Sequence, residues 1–418
     1  MVVGAYTPGL AVIRALGSRG VPVVVARYCG RDMGHVSRWA SEVVDCPHPE
    51  NDPVAFAGLL LDLAARYPGA MLVPSSDVAL TAVVGYADVL ARAGYVVAAP
   101  SSRAVATCLN KAETYVSAER AGVPAPATLR VGGMHDLERF AARAEFPAVL
   151  KPELSHRYQA VFGRKWTRVD DLDHAVREYQ LAEEAGLEVI IQELIPGEEH
   201  CGANYNAYRW GSEALVEMTA EKVRNSPAEA GSPSVVVSRD LPDARDTGRR
   251  MMQALDYHGF ANIELKRDPR DGLYKIIEIN ARHNLSAQLA YHCGIDFPWL
   301  QYRHLMYGER PTSNGFTQGV YWIDGTRDLR AAPSYLRRGG YSLRRFLRPY
   351  LAPHVSAVWA ADDMRPARAR AWDTLRSLAG LLARSAPAAR PVIAEGVSGD
   401  VPIQRAAVDE RRSGNRRR

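Results

Sequence analysis

The 418-residue chain is 47% hydrophobic and 24% charged, enough apolar sequence for a substantial core spread over two or three domains, which excludes disorder for most of its length. Its formal charge of +5 is a weak nucleic-acid signal: Ile403–Arg418 alone holds six Arg against two acids and the rest is close to neutral, whereas a binding footprint should mark a folded face. Five cysteines, at positions 29, 46, 108, 201 and 293, form no CxxC pair, which points to a reducing cytoplasm and away from structural zinc or a secreted disulfide framework.

The chain opens on Val2-Val3-Gly4 without the basic flank of a signal peptide, and no apolar run approaches the roughly 20 residues that span a bilayer, so a cytoplasmic protein with no membrane segment is expected. Val21–Ala26, Met71–Pro74 and Tyr95–Ala98 read as buried parallel strands, while Leu10–Arg19, Pro53–Tyr67 and Ala79–Ala93 carry helical apolar spacing. Together they predict an open α/β sheet, whose ligands gather at the carboxyl ends of its strands. That rule singles out the turn Ala5–Gly9 and the stretch Pro74–Asp77. The turn is not a GxGxxG and gives no support for a nicotinamide cofactor, and Asp77 fits a helix cap as well as a ligand.

A helix is expected over Asn110–Ala121, starting near Lys111, and Gly122-Val123-Pro124-Ala125-Pro126 ends it and marks a first domain boundary. Beyond it Ala148–Lys151, Glu188–Glu193, Ala203–Trp210 and Ala214–Thr219 read as strands. A third block from about Pro233 carries a helix over Ala244–Tyr257 and two strands, Ala261–Arg267 and Tyr274–Asn280, joined by the polar turn Asp268–Gly272. A helix resumes at Ser286–Cys293. After about residue 310 the pattern is less regular. Tyr335–Tyr350 sets Arg337, Arg338, Arg344, Arg345 and Arg348 beside Tyr335, Tyr341, Phe346 and Tyr350, readable as the solvated face of a packing helix or as an acidic-substrate or partner surface. Glu395–Arg418 has the composition of a disordered tail. The fold class expected is α/β, in several domains.

The hairpin is the most informative place for chemistry. Side chains on a strand repeat every two residues, so Glu278 and Asn280 share one face, and Glu264 on the preceding strand can lie opposite them. Two carboxylates and an amide oxygen suit Mg²⁺, which takes hard oxygen ligands and completes its shell with substrate phosphates; otherwise the two acids call for a basic partner. Lys111, at a helix start, and Lys151, after the apolar run Phe146–Leu150, offer compact positive charge for phosphate, although each alone reads more readily as an ordinary surface lysine. The polar loop Glu153–Lys165 has one glycine and is a poor P-loop, and no GxxxxGK[ST] occurs, but it could close over phosphates. Cys201 and Cys293 read as small buried residues.

Taken in order, Lys111, Lys151, the loop to Lys165, Gln192-Glu193-Leu194-Ile195-Pro196-Gly197-Glu198-Glu199, Glu264 with Lys266, and Glu278-Ile279-Asn280-Ala281-Arg282 resemble the ATP-grasp superfamily of carboxylate–amine ligases, over roughly residues 1–310. The opening α/β region with Pro74-Ser75-Ser76-Asp77 resembles the preATP-grasp part of D-aspartate ligase-like amino-acid and peptide ligases. The resemblance implies a preATP-grasp domain over 1–110 and an ATP-grasp domain over 111–310, its small nucleotide lobe about 125–215 and its metal lobe about 216–310. An extension at 311–394 and the basic tail 395–418 would follow.

It also implies residue roles. Lys111, Lys151 and Lys165 would hold ATP phosphates. Glu193 with the backbone around Leu194 and Ile195 would meet adenine, and Glu198 or Glu199, with Glu199 favoured, would take the ribose. Glu264, Glu278 and Asn280 would hold one or two Mg²⁺, with Mn²⁺ as a substitute. Arg282, Lys222 and Arg224 would stand at the reacting centre. For substrates, His283, Asn284 and Ser286 follow the metal strand, and His156 and Arg157 lie in the candidate lid; each fits a surface or capping role equally well. The implied reaction joins an amino-acid or peptide carboxylate, activated as an acyl phosphate, to an amine, with a small nonpeptidic amine as a variant. A catalytically silent ATP-binding regulatory or scaffold protein is the rival reading. The stretch after 310 could shape an acceptor pocket, a homodimer contact or a carrier-protein surface; neither a nucleic-acid nor a membrane partner is expected.

Overall fold

Five short parallel strands, β1 (Val2–Val3), β2 (Val24–Arg27), β3 (Glu42–Asp45), β4 (Met71–Pro74) and β5 (Val96–Val97), form a sheet in the order β3-β2-β1-β4-β5. Their alternating residues split between two cores. Val3, Ala26 and Leu72 pack with helices Pro53–Arg66 and Asp77–Gly85, and Val2, Val25 and Val73 pack with helices Thr7–Gly17 and Phe297–Tyr307. The strand order reverses at β1 and β4, the crevice where such sheets take ligands. Gly9 permits the sharp entry into the first helix, because a Cβ there would lie 2.2 Å from the Gly4 carbonyl oxygen.

The computed structural model describes residues 1–30, 32–153, 158, 161–164, 166–228, 231–338 and 341–385, with 214–215 and 378–385 described by backbone alone. The chain divides into two units, Met1–Asp373 and Thr374–Arg418, and all three sheets belong to the first. Among the described residues no helix is long and apolar enough to cross a membrane.

A second sheet, antiparallel in the order β6-β9-β7-β8, is built from β6 (Thr128–Val131), β7 (Ala148–Pro152), β8 (Thr167–Val169) and β9 (Val189–Glu193), and packs on helices Met134–Ala141 and Leu172–Glu184. The third sheet holds β10 (Gly202–Trp210), β11 (Glu213–Ser226), β12 (Ser232–Ser238), β13 (Gly259–Arg267), β14 (Tyr274–Asn280), β15 (Tyr321–Ile323) and β16 (His354–Ser356). Their order is β14-β13-β10-β11-β12-β15-β16, antiparallel except for β15 with β16. Residues beyond 310 therefore extend the sheet that carries the candidate metal ligands.

Period-two alternation gives this sheet two faces. Ala203, Tyr205, Ala207, Ala261, Ile263 and Leu265 pack in one core with helix Pro242–Ala254, whose Gly248 lets the backbone sit against Tyr205: a Cβ there would fall 2.3 Å from the ring. The opposite face carries a polar row fixed by register, with Asn204 opposite Glu264, Asn206 opposite Asn262, and Asn262 opposite Asn280.

Three elements differ from the sequence reading. Ala79–Ala93 is two helices, Asp77–Gly85 and Ala87–Arg92, because Gly85 weakens the helix and Tyr86 leaves helical geometry. The strand expected at Ala214–Thr219 runs on to Ser226. Tyr335–Tyr350 is not one amphipathic element: helix Gly325–Leu336 ends and helix Leu343–Leu351 begins, capped by the Ser342 hydroxyl, which accepts from the Arg345 N–H. The tail 395–418 lies outside the described residues.

Candidate active site

The hairpin register sets Glu264 directly opposite Glu278. Asn280 Nδ2 donates to Glu264 Oε1 at 3.3 Å and to Asn262 Oδ1 at 3.0 Å, and Asn262 Nδ2 donates in turn to Asn206 Oδ1 at 3.0 Å. This amide ladder fixes the Asn280 side chain and turns its Oδ1 away from its two acceptors. Lys222 donates to Glu264 Oε2, and Lys111 Nζ stands 3.7 Å from Glu278 Oε1, so the two carboxylates have the basic partners their proximity demands. Burial alone would raise the Glu264 carboxyl; the charge and hydrogen bond of Lys222, the Asn280 amide and the charge of Arg282 outweigh it and hold it below the usual carboxylate range.

Lys151, at the end of β7, donates to Gln192 Oε1 on β9 at 2.6 Å. Burial, with Lys111 and Lys266 nearby, pushes its ammonium down to about 8 against the pull of Glu278. Lys266 Nζ donates to the Ile195 carbonyl at 2.8 Å and is likewise lowered by burial. Arg282 forms a two-point fork with Asp77, 2.8 Å on each branch, tying the hairpin's end to the crevice of the first sheet. Burial disfavours its charge, but Asp77, Glu278 and Glu264 more than compensate. Ser76, not Asp77, caps helix Asp77–Gly85, by accepting from the Ala79 N–H.

Lys111, Lys151, Lys222, Glu264, Glu278, Asn280 and Arg282 thus form one electrostatic cluster, and others of the expected site residues stand apart from it. Arg224 is fully buried, forked onto Asp328 at 2.8 and 2.7 Å and stacked over Phe346 at 4.2 Å. Glu193 is engaged by Arg270, by Lys275 at 3.9 Å and by the Ala127 N–H at 3.1 Å, which anchors the Asp268–Gly272 turn. Glu199 is buried and accepts from the Tyr335 hydroxyl at 2.8 Å and Arg338 at 3.2 Å. Glu198 is exposed, 3.5 Å from His200 and from Arg345. His283 is buried, stacked on Phe260 at 4.3 Å with its ring Nε2 3.2 Å from Gln301, and burial lowers it to about 4. Asn284 donates to Ser286 at 3.2 Å, both buried and lining a small cavity with Asn206 and Phe260. Leu194 is half-buried and Ile195 buried. His156, Arg157 and Lys165 lie outside the described residues.

No protein-family model matches the sequence. D-aspartate ligase from Enterococcus faecium is 31% identical over 198 residues, a stretch covering 43% of this chain and 45% of that protein, so the match spans less than half of the curated relative. Solved structures share the architecture. Biotin carboxylase from Campylobacter jejuni superimposes with a TM-score of 0.63 at 13% identity, over 77% of this chain and 73% of its own. L-amino acid ligase from Bacillus licheniformis gives 0.57 at 19% identity, over 73% of each chain. The chain has the ATP-grasp fold. Within it, the four-stranded sheet contributes Lys151 and Gln192 and the seven-stranded sheet contributes Lys222, Glu264, Lys266, Glu278 and Asn280, so the cluster draws on both.

The donor set is of a kind that suits a magnesium ion. Among the described residues no three His, Cys, Asp or Glu side chains form a ready-made cage; two carboxylates plus the Asn280 oxygen are what an ion sharing its shell with phosphates requires. Sequence reasoning passed over one signal. The chain has only six lysines, all between 111 and 275, against 46 arginines. Where most cationic positions are arginine, the rarity of lysine itself points to Lys111, Lys151, Lys222 and Lys266.

Proposed function

We propose that the protein is an ATP- and Mg²⁺-dependent ligase that joins a carboxylate, activated as an acyl phosphate, to an amine, with amino acids or peptides as substrates. The observation carrying this reading is the facing of Glu264, Glu278 and Asn280 by Lys111, Lys222 and Arg282, a set of hard oxygen donors among fixed cations. The identity with D-aspartate ligase and the likeness to L-amino acid ligase support the substrate class.

In this reading Lys111 and Lys151 bind the triphosphate, and Lys266 holds the Ile195 carbonyl so that the Glu193–Ile195 backbone keeps its shape beside the base. The ribose falls to Glu198 or Glu199, of which Glu198 is exposed and Glu199 is buried against Tyr335 and Arg338. A carboxylate oxygen of the substrate attacks the γ-phosphorus, ADP departs, and Lys222 and Arg282 offset the charge spread over the phosphoryl oxygens. Magnesium held by Glu264, Glu278 and Asn280 would supply further charge neutralisation at the phosphates. The amine then attacks the acyl carbon, phosphate leaves with the acyl oxygen, and an amide remains. No protein nucleophile is needed, and Cys293 and Cys201, buried and half-buried, are not asked to act. Arg224 acts through structure, by fixing β11 onto helix Gly325–Leu336.

The test is Glu278→Gln. Thermal unfolding should be close to that of the wild type, because Glu278 is part-exposed, while Mg²⁺-supported ATP turnover falls on the order of 100-fold or more. Unchanged turnover would remove Glu278 from the metal site.

A further inference from the structure

Helix Leu343–Leu351 buries one face and leaves a second apolar stripe uncovered. Phe346 and Pro349 are buried, and the Tyr350 hydroxyl donates to Asp328 Oδ2 at 2.7 Å, fixing the helix on the body. Leu343, Leu347 and Leu351, four residues apart, share another stripe and are 59%, 42% and 84% exposed. Arg344 and Arg348 lie exposed beside them and, among the described residues, form no ion pair, unlike Arg338 and Arg345, which meet Glu199 and Glu198. From Leu329 to Ala361 the sequence holds six arginines and no Asp or Glu. At the helix's C-terminal end an open groove of about 400 Å³ is lined by Ser238, Arg239, Gln318, Tyr321, Arg348 and Ala352.

We propose that this surface docks the protein onto an anionic lipid bilayer, with the three leucines entering the acyl boundary and Arg344 and Arg348 meeting lipid phosphates. A stripe of leucines beside arginines, on a helix too short to span, is the pattern of an interfacial helix. Charge excludes the nearest alternatives. A second copy placed face to face would set Arg344 and Arg348 against their like, and the chain's own segment 386–418, with seven Arg against four acids, carries the same sign. A fluid phosphate-bearing surface satisfies both the leucines and the arginines without a matching cavity. This inference is independent of the reaction proposed above.

The experiment is co-sedimentation of the full chain with phosphatidylcholine vesicles and with vesicles containing phosphatidylglycerol, at low and high salt. Binding should appear on the phosphatidylglycerol vesicles and weaken with salt. Each arginine near the surface contributes roughly fivefold to partitioning, so Arg344→Ala with Arg348→Ala should weaken it about 25-fold. Leu347→Asp with Leu351→Asp should abolish it; both side chains are exposed, and an unchanged thermal melt controls for folding. No binding to anionic vesicles, or equal binding by the leucine variant, overturns the proposal. So does a result in which the leucine variant changes only the oligomeric state, or only the capture of an acidic protein partner.

Discussion

Lys151→Met separates two things the half-buried lysine does. Burial lowers its ammonium from 10.5 to about 8, and at 1.36 kcal/mol per pKa unit the charged form costs the unliganded fold about 3 kcal/mol at neutral pH. Removing it relieves that cost but leaves Gln192 Oε1, which accepts from Lys151 at 2.6 Å, with only the distant Tyr115 hydroxyl at 3.5 Å. The orphaned acceptor costs about 1–3 kcal/mol. The variant should therefore be as stable as the wild type or up to about 2 kcal/mol more stable. The pH dependence isolates the lysine, because the cost at Gln192 does not titrate. The folded pKa lies below the unfolded one, so the unfolded state holds more protons between about 8 and 10.5, and wild-type stability rises across that window relative to the variant. Urea unfolding of both proteins at about pH 7 and about pH 9.5 should show the difference move by about 2 kcal/mol in favour of the wild type. ATP should stabilise the wild type and fail to stabilise the variant. A stability difference that does not move with pH would refute the buried-ammonium reasoning, and an undiminished ATP effect would refute the phosphate role.

Asp328→Asn breaks a fully buried fork with Arg224 and should cost about 3–5 kcal/mol in urea unfolding. His283, held near 4 by burial, takes up its proton more readily when unfolded, so stability falls as pH drops from 6.5 towards 4; His283→Gln should remove about 2 kcal/mol of the loss measured at about pH 5. Arg282→Lys keeps the charge but not the fork onto Asp77, and should lower kcat more than it raises KM for ATP in steady-state assays.

Much of this was legible in sequence where a local rule governs the geometry. Met71–Pro74 and Tyr274–Asn280 are strands with the bounds their apolar runs and turn residues suggest, and period-two alternation was enough to bring Glu264, Glu278 and Asn280 to one face. Lys222 and Arg224 show where such a rule fails. Two residues apart, they should share a face, but a bulge pairs Lys222 with Val236 and Arg224 with Val235, adjacent residues that point to opposite sides. Only Lys222 reaches Glu264. The commitments of Glu199 to Tyr335, 136 residues on, and of Arg282 to Asp77, 205 residues back, are products of tertiary packing that no local spacing encodes.

The most direct test of the central claim is mass spectrometry of the purified protein with ATP, Mg²⁺ and pooled amino acids and peptides labelled with ¹⁸O in their carboxylates. An acyl-phosphate ligase yields a condensation product together with ADP, and the released phosphate carries one ¹⁸O from the carboxylate. AMP in place of ADP, or a condensation product with unlabelled phosphate, would contradict the mechanism.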